Sequence, residues 1–210
     1  GDTDLGTTAD KLTNVMTTFG LNAKQMRDIA DIMTSTFTRS NTDMLMLAES
    51  AKYAGGIAHL YGKSFKNTFA DTMALFGVLG NAGIQASSAG TTIRMMYQNL
   101  MQPNKNQLAT LKKYNIYTRD KNGEPLEMRD ILAQISAKVP QNKMADAIGQ
   151  MFRITAQPGA AALASNMPMV TELIRANETA AGSGISQNIA NEKKGTLAGL
   201  WAQVTSSFTE

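Results

Sequence analysis

The stretch Leu75-Phe76-Gly77-Val78-Leu79-Gly80-Asn81-Ala82-Gly83-Ile84-Gln85-Ala86-Ser87-Ser88-Ala89-Gly90-Thr91-Thr92-Ile93-Arg94 decides the fold. It reads as the end of one helix, a break at Gly80-Asn81-Ala82-Gly83, and the start of the next. Before it, Ser64 is placed to cap a helix whose inner face is Phe65, Phe69, Thr72, Phe76 and Leu79. After it, Ser87-Ser88 lead a helix with Ala89, Ile93, Met96, Tyr97 and Leu100 inward, ending before Pro103. Both apolar patterns repeat at helical spacing, with no period-two alternation.

The same periodicity extends outward. Met26, Ile29, Ala30, Met33 and Phe37 form one stripe of a helix beginning near Asn22. Asn41 is the expected N-cap of the next, which carries Met44, Leu47, Ala48, Ala51 and Ala54; Gly55-Gly56 is a candidate bend and Gly62 the stop. A short helix with Leu108 and Leu111 follows Pro103. Asn115-Ile116-Tyr117-Thr118, the turn Asp120-Lys121-Asn122-Gly123 and Pro125-Leu126-Glu127-Met128 then form the single candidate hairpin. Helices resume at about 129–139, 142–152, 159–165, 169–177 and 186–206, the last after a Gly182-Ser183-Gly184 joint. The expected class is all-α, with at most one short β-hairpin near 115–128. The expected organisation is a helical domain over 1–182 and a C-terminal helix over 183–210. The chain begins at Gly1 without Met, and the helical pattern is uncapped at its end, so a fragment of a longer protein is expected.

Composition narrows the chemistry. The chain has 210 residues, 18 % of them charged against about 25 % in an average globular protein, and a net charge of +3. That small charge argues against a dedicated nucleic-acid binder. An apolar fraction of 43 % and a mean hydropathy of −0.20 exclude a disordered chain. Cysteine is absent, which removes disulfides and thiolate sites, and His59 is the only histidine. Fourteen methionines supply adaptable packing surfaces. No signal peptide is recognisable, and the longest apolar run, Gly159 to Ala164, is far below the roughly 20 residues of a spanning helix.

Candidate chemical groups fail one by one. His59 has no second imidazole or i±4 carboxylate beside it. Asp120-x-Asn122-Gly123 is a poor calcium loop: counted from Asp120, the glycine comes two places too early, and Ile131 stands where the closing glutamate belongs. The pairs Asp28/Asp31 and Glu124/Glu127 have the spacing of neighbouring solvated groups, and no Gly-x-Ser-x-Gly elbow exists. Gly77, Gly80 and Gly83 lack the Gly-Lys-Ser/Thr of a phosphate loop. Lys105, Lys112, Lys113 and Arg119, like Lys193-Lys194, read as solvated faces. The small-residue stripe Ala48, Ala51, Ala54, Gly55 and Ala58 reads two ways, as a close helix–helix seam or as a face that is membrane-active in another state.

The residues from Leu75 to Arg94 closely resemble the signature of the tail tape measure proteins of long-tailed bacteriophages: Asn-Ala-Gly-Ile, a few small residues, Ala-Gly-Thr, an aliphatic residue and Arg. Glu49 to Ala58 is similar to a second family segment, and Asn41-Thr42 to the helix start before it. Tyr114-Asn115-Ile116 with Asp120 to Gly123 resembles its turn, and Met151-Phe152-Arg153 its Phe-Gly. Gly55-Gly56 stands for Gly-Pro and Arg153 for the usual Gly. The likeness covers about residues 20–205.

What the resemblance implies is structural. The signature positions are Asn81, Ala82, Gly83, Ile84, Ala89, Gly90, Thr91, Arg94, Asp120, Gly123 and Phe152. Gly83 is expected at positive φ, Gly90 at a helix contact, and Arg94 reaching back to carbonyls of the preceding helix. The implied role is a non-enzymatic, cofactor-free and metal-free region of a protein in the tail-tube lumen that sets tail length. The implied partners are copies of itself, tail tube and tip proteins and tail assembly chaperones. The host cytoplasm is the implied site of assembly, and a prophage an equally fitting source. The alternative is a membrane-active segment that forms a channel in the host envelope during DNA ejection.

Overall fold

A computed structural model describes residues 5–62 and 64–192, with backbone alone for 5–10, 23 and 65. Its helices are α1 (Leu5–Thr18), α2 (Met26–Phe37), α3 (Met44–Tyr61), α4 (Phe65–Asn81), α5 (Ala86–Met101), α6 (Lys105–Lys113), α7 (Met128–Lys138), α8 (Met144–Met151), α9 (Gln157–Ser165) and α10 (Met167–Ala180). A further helix, α11, occupies 185–192. The expected continuation to residue 206 and the Phe65 side chain lie outside the described residues. No strand occurs among the described residues, so the all-α expectation holds.

The centre is α4, whose residues from Thr68 to Gly80 are buried without interruption. A helix that is apolar on every side has to be covered on every side. Here α2, α3, α5, α9 and α10 do so. Phe69, Thr72, Phe76 and Leu79 are all buried, as are Ala89, Ile93, Met96, Tyr97 and Leu100 of α5. Gly77 and Gly80 serve this packing: a Cβ at Gly77 would stand 2.6 Å from Leu173 Cδ2, and one at Gly80 2.3 Å from Thr42 Cγ2.

Helix α3 packs along α5. Ala51, Ala54 and Ala58 are wholly buried. Ser50 Oγ donates to the Ala86 carbonyl at 2.8 Å, and a Cβ at Gly90 would come within 2.3 Å of the Ser50 carbonyl oxygen. The small-residue stripe is thus engaged as a packing seam.

Several local expectations shift. The N-cap of α3 is Asp43, whose carboxylate accepts from Met46 N–H at 2.7 Å, because the Asn41 backbone is bonded elsewhere. Helix α5 starts at Ala86 behind Gln85, which places Ser87 and Ser88 in its first turn. Helix α3 runs through Gly55-Gly56 and ends at Gly62. The hairpin contracts to one bridge, Arg119 with Pro125, around a turn closed by Gly123 N–H to Asp120 O at 3.0 Å. Gly123 at φ 84 and the return bond from Asp120 N–H to Glu124 O make a bulged turn whose short arms propagate no ladder. Helix α1 has no counterpart among the helices expected from sequence, although Leu12, Val15, Met16 and Phe19 have its spacing; Val15 and Phe19 are buried, and the Phe19 ring meets Phe69 edge-on at 5.0 Å.

Gly90→Val is expected to destabilise the protein by about 1–3 kcal/mol, since the obstruction is backbone and cannot rotate away. Gly149→Ala, in open space within α8, is expected to leave stability unchanged or raise it by up to about 1 kcal/mol. Urea midpoints of the two variants check the pair.

Candidate functional site

The signature stretch forms the corner between α4 and α5. Gly83 sits at φ 77, a conformation open to glycine at little cost. Its N–H donates to Gly80 O at 3.1 Å and Ile84 N–H to Leu79 O at 2.9 Å, the paired bonds of a Schellman motif. Asn115, at φ 53, closes α6 in the same way, with Ile116 N–H to Leu111 O at 2.9 Å.

Asn81 ties the corner to distant chain. Its Oδ1 accepts from Asn41 N–H at 2.7 Å, and its Nδ2 donates to Met169 Sδ at 3.3 Å. Gln85 Nε2 donates to Asn41 O at 2.6 Å, so two side chains of the corner satisfy both polar groups of one backbone unit. The α2–α3 loop, the α4–α5 corner and the start of α10 are joined there. Ala82 is exposed as the C-cap of α4, Ile84 packs on the core, Ala89 and Gly90 are buried in the α3 seam, and Thr91 is half-buried. Arg94 differs from expectation: its Nε is buried without a hydrogen bond among the described residues. Asp120 and Gly123 build the bulged turn, where Asp120 Oδ1 accepts from Asn122 and Glu124 N–H at 2.9 and 3.0 Å. Phe152 is buried at the end of α8, far along the chain from the corner.

The sequence-derived chemical candidates do not converge. His59 is exposed, and no cluster of three or more His, Asp or Glu fit to hold a metal occurs among the described residues. Glu124 is exposed while Glu127 is buried. Asp28 and Asp31 do not act as a pair. Asp31 is fully buried and accepts from Gly184 N–H at 2.9 Å, Ser186 N–H at 2.9 Å and Ser186 Oγ at 2.6 Å. It thereby caps α11 from α2. Burial alone would raise its pKa, but these hydrogen bonds and the Arg27 charge hold it below its ordinary value.

One buried charged group escaped the sequence reading. Asp71 of α4 is 1 % exposed, and Arg129 Nε lies 3.3 Å from its Oδ2. Neither carboxylate oxygen has a hydrogen bond among the described residues, and Arg129 Nη1 turns to Glu178 Oε1 at 2.7 Å. Burial pushes the Asp71 carboxyl up to about 8 against the pull of Arg129, and the charges of Glu127, Glu178 and Asp130 add to the rise. At neutral pH it is therefore mainly a neutral acid. Burial raises the Tyr97 phenol as well, with Glu127 and Asp71 contributing. Only contacts between helices far apart in sequence create this cluster.

Two measurements follow from these contacts. Gly83→Val is expected to cost about 1–3 kcal/mol through backbone strain alone, since nothing lies within 4 Å of its Cβ; Gly83→Asn is expected to cost less. For Asp71, the unfolded chain loses its proton near 3.8 while the folded chain keeps it to about 8, so its share of stability declines as pH rises between those values. Asp71→Asn removes that decline. The variant is expected to gain on the wild type progressively from pH 4 to 8, by on the order of a few kcal/mol, and not to gain below that window. Urea titrations across pH read the difference.

Comparison with known proteins identifies the family. Residues 1–153 match the family described as phage-related minor tail protein. The chain is 28 % identical over 132 residues to the tape measure protein of Pneumococcus phage Dp-1, covering 63 % of this chain and 11 % of that protein. It is 26 % identical over 136 residues to a probable tape measure protein of Escherichia phage P2, covering 65 % of this chain and 16 % of that protein. The chain thus corresponds to a small part of those relatives' length. No solved structure matches it. The chain belongs to the phage-related minor tail protein family.

Proposed function

We propose that this region is a non-enzymatic folding module of a tail tape measure protein, one that gives the long chain a compact, self-supporting part during tail assembly. The carrying observation is the Asn81–Asn41–Gln85 corner, where the signature residues close a turn and join separate helices. A phage tail component associates with other tail proteins; the specific partners in this reading are further copies of the chain, tube and tip proteins and assembly chaperones. The parent protein would set tail length from within the tube and take part in genome ejection. The similarity to two tape measure proteins supports that role.

The membrane-active alternative has no observation of its own in favour. Among the described residues no helix is long and apolar enough to cross a membrane. The small-residue face of α3 is buried among α1, α4 and α5, so a channel-forming state requires that packing to open.

A structural module tolerates loss of single chemical groups and fails when its packing is damaged. His59→Ala, Asp28→Ala and Glu124→Ala are expected to leave plaque numbers near wild type. Phe76→Ala, at 1 % exposure, is expected to reduce assembled tails in electron micrographs, because truncating a buried Phe costs about 3–5 kcal/mol of a domain's 5–15. Normal tails that fail to infect after a His59 or carboxylate substitution would instead indicate an ejection-stage activity.

A further inference from the structure

A groove of about 370 Å³ lies between α6 and the segment that follows it. Leu111 and Ile116 are its buried floor, at 3 and 5 % exposure, while Leu108 and Tyr117 stand beside it at 41 and 61 %. Single exposed apolar residues are ordinary; two flanking one concavity whose floor is also apolar are not.

The exposed tyrosine is held in place. Its N–H donates to Gln134 Oε1 at 2.9 Å, and its carbonyl accepts from Gln134 Nε2 at 3.0 Å. One carboxamide therefore pairs with the Tyr117 backbone as a neighbouring strand would, and fixes the residue while the ring remains outside. Lys138 Nζ stands 5.3 Å from the ring centroid and donates to Asn115 O at 2.6 Å. An aromatic residue on immobilised backbone loses little entropy when a partner covers it.

The rim is cationic. Lys112 and Arg119 line the groove, Lys138 lies over Tyr117, and Lys105 precedes Leu108 by one turn of α6; all four are exposed. Of the nearby carboxylates, Asp120 is engaged in the bulged turn by Asn122 and Glu124 N–H.

We propose that this groove docks an acidic segment of a partner protein, with an apolar side chain between Leu108 and Tyr117 and carboxylates against Lys112, Arg119 and Lys138. Charge complementarity sets the sign of the partner. The aliphatic floor and the single outward aromatic ring favour a peptide side chain over nucleic acid, which would call for successive stacking faces. The inference goes beyond the folding role above and does not depend on it.

Fluorescence anisotropy with labelled peptides of roughly twelve residues tests it. The probes are an acidic peptide with central Leu and Phe, the same peptide with Ser at those two positions, its Lys-for-Glu counterpart, and an oligothymidylate. Saturable binding of the acidic Leu/Phe peptide is expected. It should weaken about tenfold or more in Lys112→Glu/Arg119→Glu and in Tyr117→Ala, while the Ser and Lys peptides bind at least about tenfold more weakly to the wild type. Circular dichroism melts matching wild type show that the variants fold. The proposal is overturned if the acidic Leu/Phe peptide does not bind, if these substitutions leave its binding intact, or if the Ser peptide binds equally well. Tighter binding of the oligothymidylate through the same residues overturns it in favour of a nucleic-acid surface.

Discussion

Everything in this domain is arranged around a helix with no exposed side. From Thr68 to Gly80 each residue of α4 is buried, so each polar group there has to be met by another helix or left unmet. Asn177 of α10 donates to the Ala70 carbonyl while accepting from Thr36 of α2, which links three helices through one buried carboxamide. Thr72 turns back to the Thr68 carbonyl at 2.7 Å. The Thr68 hydroxyl and the Asp71 carboxylate find no hydrogen bond among the described residues, and burial raises the pKa of Asp71. The glycines of α4 belong to the same arrangement, since complete enclosure leaves no room for a side chain where Leu173 and Thr42 approach.

The signature corner is the exit from that enclosed helix. A chain leaving a buried helix must reverse within a few residues without stranding its final carbonyls. Gly83 and Ile84 occupy two of those carbonyls from the far side of the turn. Asn81 and Gln85 then use the exposed edge of the turn to hold Asn41, so the loop before α3 is fixed by residues forty positions or more away.

The helices could be read from sequence wherever one apolar stripe was strong, as from Met26 to Phe37 or from Ala89 to Leu100. The break at Gly83 was legible too, because its cause is local. Asn41 was misread as a cap since its real partners, Asn81 and Gln85, stand far along the chain, and Asp43 took the role two residues later. Helix α1 went unread despite a helical spacing of Leu12, Val15, Met16 and Phe19, residues set among many threonines. The Asp71–Arg129–Glu178 cluster and the Gln134 clamp on Tyr117 carry no local signal whatever, being made of residues that meet through the packing of separate helices.

Asp31 also decides where the chain after α10 is anchored. Helix α11 follows two residues of left-handed backbone, Gly182 and Gly184, and such a joint by itself would let the helix swing. The carboxylate of Asp31 removes that freedom by gripping the first turn at Gly184 and Ser186 together. Three hydrogen bonds to one side chain thus set the position of the first turn of α11 against α2. The start of α11 is thereby tied to α2, a helix that itself packs on the enclosed α4.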